Sequence, residues 1–270
     1  MQEERLVSRG EDLVAHGAQV IRLENDAMLA VAVQRPRNEA LILKNALGEL
    51  DLIPEEAGAA YYEIPYQETL DDGSRRTVKV SGPSIKAAMA LARRWGNCSA
   101  TARVLNENNE WFDLEGVMLD FETNFRICRP IRVGKFFKSK GGKVYLLDPK
   151  RQEQAVQAGA SKAIRNAILA GLPAYLVHAY DKRAREIAGG KLEAKADKKV
   201  IAAILKAFSK LKVTQEQLEA YAETPMADWT GEEIASLRGL WNSMNDGQTT
   251  VEEAFTHQPD ASKGTGPVTL

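Results

Sequence analysis

The chain lacks most of the features that would tie it to a known chemistry. No run approaches the roughly 18 apolar residues of a membrane-spanning helix. The opening "MQEERLVSRGEDLV" carries acids and no apolar segment, so it does not read as a signal peptide. Cysteine is almost missing. Cys98 and Cys128 are the only two in 270 residues, which gives neither a disulfide framework nor a metal-ligand spacing. A soluble protein of a reducing, cytoplasmic compartment is the expectation. No G-x-x-x-x-G-K-[ST] phosphate loop, no H-E-x-x-H and no C-x-x-C pair occurs. His16, His178 and His257 are scattered and have no partner motif. ATP-driven chemistry, a resident cofactor and a catalytic constellation are therefore not indicated.

What the chain has is segregated charge. The net charge of −1 conceals it. From Arg75 to Arg103 there are seven basic residues and no acid, and from Arg126 to Arg165 eleven against Asp148 and Glu153. Residues 1–60 are acidic, and so is the stretch from Lys212 to Asp260, with ten acids against Lys212 and Arg238. Such asymmetry points to a polyanionic partner for the middle of the chain.

Residues 1–54 are expected to form a helical, oligomerising segment, in which Ala40, Leu41, Leu43, Leu47 and Leu50 recur at helical spacing. "AAYYEIPYQETL" reads as a strand, "DDGSRR" as a turn and "RRTVKVSG" as the return strand. "SGPSIKAAMALARRWGN" reads as a helix capped by Ser81 or Gly82, with Pro83 in its first turn and Gly96 at its end. Its expected buried face is Ile85, Met89, Ala92 and Trp95. Strands follow at "CSATARVL" and along "WFDLEGVMLDFETNFRICRPIRV", then a basic hairpin at "KFFKSKGGKVYLL". A helix is expected from Pro149 to Gly171, with Val156, Ala160, Ile164, Ala167 and Ile168 buried. Another helix begins beyond Pro173. Residues 55–188 thus read as an α+β core, 189–199 as a linker, 200–256 as a small all-helical domain and 257–270 as a polar tail. In the helical domain "TQEQ" and "TGEE" carry the capping-box signature.

Three features of the core suit nucleic acid. The two helices carry cationic rows, Lys86 with Arg93 and Arg94, and Lys162 with Arg165 and the amide of Asn166. The strand "RICRPIRV" adds Arg126, Arg129 and Arg132. The hairpin interleaves Phe136, Phe137 and Tyr145 with Lys135, Lys138, Lys140 and Lys143. Cations neutralise phosphates and release counterions. Aromatic rings stack on exposed bases. The small residues of "QAGASKAIRNAILAG" read as clearance for close approach of a phosphate backbone. A second pattern is the run of carboxylates Asp113, Glu115, Asp120 and Glu122, which suits either a half-solvated sheet or a Mg²⁺ site.

In their order, "YYEIPYQ", "SGPSIKAAMALARRWGN" and "QAGASKAIRNAIL" resemble the phage single-strand annealing proteins of the broad RecT/Redβ/Erf-like superfamily, over about residues 55–185. The resemblance implies a bent antiparallel β-sheet with packed helices, followed by the small helical domain. It implies rings or filaments of protomers, and ATP-independent annealing of complementary single strands of DNA in phage recombination. It implies no covalent chemistry and no cofactor. The C-terminal domain would contact a companion exonuclease or the host single-strand binding protein. Two other readings stay open: a Mg²⁺-dependent nuclease built on the carboxylates, and a protein adaptor working through its acidic C-terminal domain.

Overall fold

The computed structural model describes residues 2–69, 75–138, 143–190, 192–245 and 249–255. The tip of each expected hairpin, Lys140 among it, and the tail 257–270 lie outside the described residues. In chain order the elements are α1 (Gln2–Gln34), α2 (Glu39–Leu52), α3 (Pro54–Ala57), β1 (Tyr61–Thr69), β2 (Arg75–Pro83), α4 (Ile85–Trp95), β3 (Cys98–Glu107), β4 (Trp111–Asp120) and β5 (Phe125–Gly134). There follow β6 (Phe136–Lys138), β7 (Val144–Leu146), α5 (Pro149–Gly171), α6 (Ala174–Gly189), α7 (Lys198–Ser209), α8 (Gln215–Ala222), a 3₁₀ turn (Met226–Asp228), α9 (Gly231–Asn245) and α10 (Val251–Phe255). The class is α+β: a three-stranded antiparallel sheet packed against helices, with a helical C-terminal region. Among the described residues the strands form three separate antiparallel sheets, β1-β2, β3-β4-β5 and β6-β7, rather than one bent sheet. No described helix is long and apolar enough to cross a membrane.

The chain divides into two compact units, neither of them continuous in sequence. The first holds residues 1–44 and 88–173, the second 45–87 and 174–270. This differs from the expected series of consecutive domains, and the second unit shows why. Its strand β1 is fastened to α9, about 180 residues later. Ser243 Oγ accepts from the Glu63 N–H at 3.2 Å and donates to the Glu63 carbonyl at 2.7 Å. The buried Glu63 carboxylate accepts from Tyr221 at 2.9 Å and from Ser236. Small residues make the approach feasible: a Cβ on Gly239 would stand 3.0 Å from that of Glu63. The expected linker at 189–199 is likewise fixed. Gly231 and Glu232 donate to the carbonyls of Ala194 and Leu192, and Ala196 donates to that of Trp229. Backbone groups paired in this way do not behave as a tether.

The helical part of the second unit has its own core around Phe208, Trp229, Leu237 and Leu240, all fully buried. Of the two expected capping boxes, the one at Thr214 is complete and the one at Thr230 is half-formed, its hydroxyl accepting from the Glu232 N–H rather than from that of Glu233. Thr214 and Gln217 exchange side-chain-to-backbone bonds. The Thr230 N–H donates to Glu233 at 2.7 Å.

In the first unit α5 lies on the β3-β4-β5 sheet. Its fully buried residues are Gly159, Ala163, Ala167 and Ile168. The stripe is therefore rotated towards the smallest side chains, and Val156, Ala160 and Ile164 are only partly covered. A Cβ on Gly116 of β4 would fall on the carbonyl of Ala163, and one on Gly159 would meet Leu114 and Val133. A Cβ on Gly171 would stand 2.5 Å from the sulfur of Met118. Gly159, Ala163, Ala167 and Gly171 of α5 thus clear space for the sheet, while Ala158 is left exposed. Asp148 caps the helix, accepting from the Arg151 N–H at 3.0 Å, and Pro149 occupies its first turn.

Two glycine substitutions separate these roles. Gly116→Ala must drive α5 off the sheet and is expected to cost about 3 kcal/mol or more in urea unfolding. Gly48→Ala, in the α2 interior where a Cβ meets nothing within 4 Å, is expected to stabilise by about 0.5–1 kcal/mol.

Candidate nucleic-acid interface

All the expected nucleic-acid residues except Lys86 lie in the first unit. Strand pairing sorts those on the sheet. Leu114, Gly116 and Met118 face α5, and so do their cross-strand partners Ile131, Arg129 and Ile127. Asp113, Glu115 and Leu119 face the other way, with Arg132, Pro130 and Arg126 opposite them. Arg129 and Lys162 come to the same level of the layer, since Arg129 is paired with Gly116 and Lys162 precedes the Ala163 that Gly116 touches. Arg126, Arg129 and Lys162 are all exposed.

On the face away from α5, charge is largely matched. Arg132 Nε donates to Asp113 at 2.8 Å, and its guanidinium lies 4.2 Å from the centroid of the Trp111 ring. Arg103 donates to Glu115 at 2.6 and 3.0 Å. The hydrogen bond from Arg132 holds the Asp113 carboxyl below its ordinary value, and that from Arg103 does the same for Glu115. Leu105, Asn106, Pro130 and Ile131 line a shallow cleft beside the Asp113–Arg132 pair.

Helix α4 is capped by Ser84, whose Oγ accepts from the Ala87 N–H at 3.3 Å. The expected cap at Ser81 or Gly82 does not occur, because β2 continues to Pro83. Ala87, Ala88, Leu91, Ala92 and Trp95 are buried. Met89, expected to be buried with them, is 44 % exposed. Lys86, Arg93 and Arg94 are exposed, and Gly96 ends the helix at φ +66°. On α5, Arg165 is half-buried and donates to the side-chain oxygen of its neighbour Asn166 at 3.3 Å.

Lys135 departs from its expected role. It is buried, its Nζ donates to Glu107 at 2.5 Å, and it lies 4.3 Å from the Phe112 ring centroid. It pins the base of the hairpin. Beyond it, β6 and β7 present Phe136, Phe137 and Tyr145 at 45, 40 and 46 % exposure. Phe137 and Tyr145 are cross-strand partners with stacked rings, centroids 5.4 Å apart. Lys143 is exposed, and Lys138 is placed only by its position in β6.

The carboxylates of 113–122 do not converge on a common point. Asp113 and Glu115 are held as above, on the face away from α5. Asp120 and Glu122 are held by Arg37, in the link between α1 and α2, which motif reading had passed over. The Arg37 guanidinium donates to both Asp120 oxygens at 2.5 and 2.8 Å and lies 4.2 Å from the Trp95 ring centroid. Its backbone N–H donates to Glu122 at 3.0 Å. Trp95 Nε1 donates to Asp120 at 2.9 Å, and the Asn97 amide donates to Glu122. Burial pushes the Asp120 carboxyl up, but the bonds from Arg37, Trp95 and the N–H groups of Thr123 and Glu122 outweigh it and bring it to about 2. A metal ion at Asp120 and Glu122 would have to displace a buried guanidinium.

Arg37→Ala would strand the buried carboxylate of Asp120 and is expected to cost about 3–5 kcal/mol in urea unfolding at pH 7. The Asp120 value lies below that of the unfolded chain, near 3.9. Its contribution, about 2 kcal/mol, is therefore whole above about pH 4 and is lost as pH falls towards 2. Asp120→Asn should flatten the acid limb of a stability–pH profile over that window.

No family model, curated protein or solved structure matches the chain.

Proposed function

We propose that this chain is an ATP-independent single-strand annealing protein, which binds single-stranded DNA and pairs it with a complementary strand in phage recombination. The observation that carries the reading is the β6-β7 hairpin. It exposes three aromatic rings directly beyond β5, in the same unit as the exposed Arg126, Arg129 and Lys162. Exposed rings accept bases of any sequence, and exposed cations accept the backbone. Annealing asks for both, and for no bond to be made or broken. The order of the "YYEIPYQ", "SGPSIKAAMALARRWGN" and "QAGASKAIRNAIL" segments supports the same reading.

Within it the cations have distinct duties. Arg126, Arg129, Lys162, Lys143, Lys86 and Arg93 are exposed and serve the phosphates. Arg132 is presented by Asp113 and Trp111, and Arg165 by Asn166, so both act as oriented groups. Assembly into rings or filaments would set such surfaces side by side along one strand.

The test is annealing of two labelled complementary oligonucleotides without nucleotide, over a salt series. Acceleration that fades with salt is expected, and its absence at every salt would end the proposal. Phe137→Ala with Tyr145→Ala is expected to lose about 1–3 kcal/mol of single-strand affinity per unstacked base. Arg129→Ala with Lys162→Ala should weaken binding to all sequences alike and lower the salt slope by roughly 1.4.

A further inference from the structure

The second unit carries a cationic surface that the reading above does not use. Helix α7 and its end hold Lys198, Lys199, Lys206, Lys210 and Lys212, all exposed, and no acid occurs from Lys198 to Gln215. Lys199, Lys206 and Lys210 follow one another at spacings of seven and four. They form one line about 16 Å long on the helix surface. The exposed Ala202 and Ala203 leave the middle of the line free of bulk. None of the five lysines makes an ion pair among the described residues.

Helix stability accounts for only part of this arrangement: Lys206 and Lys210 at the C-terminal end suit the helix dipole. Lys198 and Lys199 stand in the first turn, where the helix dipole disfavours cations. Protein docking accounts for it poorly. Between residues 176 and 255 no large apolar side chain is exposed among the described residues. A stable protein interface is anchored by buried aromatic, aliphatic or arginine groups, and lysine is depleted there. Phosphate contact asks only for cations with room around them.

We infer that the lysine line on α7 is a second binding surface for the phosphate backbone of nucleic acid. The inference rests on the single-strand annealing reading and extends it to the C-terminal region, which the sequence had assigned to protein partners. A second surface would let one protomer hold backbone outside the hairpin-bearing unit.

The experiment uses the full chain and a long poly-dT strand. The variant is Lys199→Ala, Lys206→Ala and Lys210→Ala together, with the three lysine-to-arginine changes as a charge-preserving control. Alanine is the better helix former, so α7 is kept. Binding is followed against salt. The alanine variant is expected to show a slope of log K against log salt shallower by about 2, and the arginine variant the wild-type slope. If wild type binds and both variants share its slope, the α7 assignment is overturned alone and the lysines are left for an acidic protein segment. If wild type binds no DNA at any salt, the annealing reading fails and takes this inference with it.

Discussion

The contact on which the first unit depends is the one between the backbones of β4 and α5 at Gly116 and Ala163. A side chain at residue 116 would occupy the space of the Ala163 carbonyl. Gly159 and Gly171 repeat the approach on either side, against Leu114 with Val133 and against Met118 with Ile127. Close approach of this kind replaces side-chain volume with many backbone van der Waals contacts, each weak and together strong. It also fixes what surrounds it. With Ala163 turned to the sheet, Lys162 must leave it, and Arg129, opposite Gly116, emerges at that level.

Charge in the same unit is divided between groups that hold the fold and groups left to solvent. Each carboxylate along β4 and its following turn has an arginine: Arg132 for Asp113, Arg103 for Glu115, Arg37 for Asp120 and Glu122. The Arg37 pair is the buried one, and it survives burial because Trp95, Asn97 and backbone N–H groups satisfy the remaining lone pairs. What is left over is positive. A surface obtained by such subtraction is narrower than the count of lysines and arginines suggests, and Lys135 is the clearest loss from it.

The legible parts of the chain were those decided by near neighbours. The bounds of α5, the strands β3 to β5, the box at Thr214 and the Glu233 carboxylate on the Thr230 N–H follow from periodicity and from bonds reaching three or four residues. A second complete box, Thr250 with Glu253, carries the same spacing and had been passed over. Met89 was misplaced because the buried stripe runs along Ala87, Ala88, Leu91, Ala92 and Trp95, which turns Met89 outward, and the extent of β2 because Pro83 at an edge reads equally well as a helix start.

Sequence by itself thus determined the class, most of the elements and the inventory of cations and rings, since helical and strand periods and caps are written within a few residues. Tertiary structure alone decided which of those groups remain available. Arg37 meets Asp120 across 83 residues, and Ser243 meets Glu63 across 180. No local spacing encodes such pairs, because they are chosen by packing: the backbone comes together where glycine and alanine allow it, and each buried charge takes the partner that packing delivers.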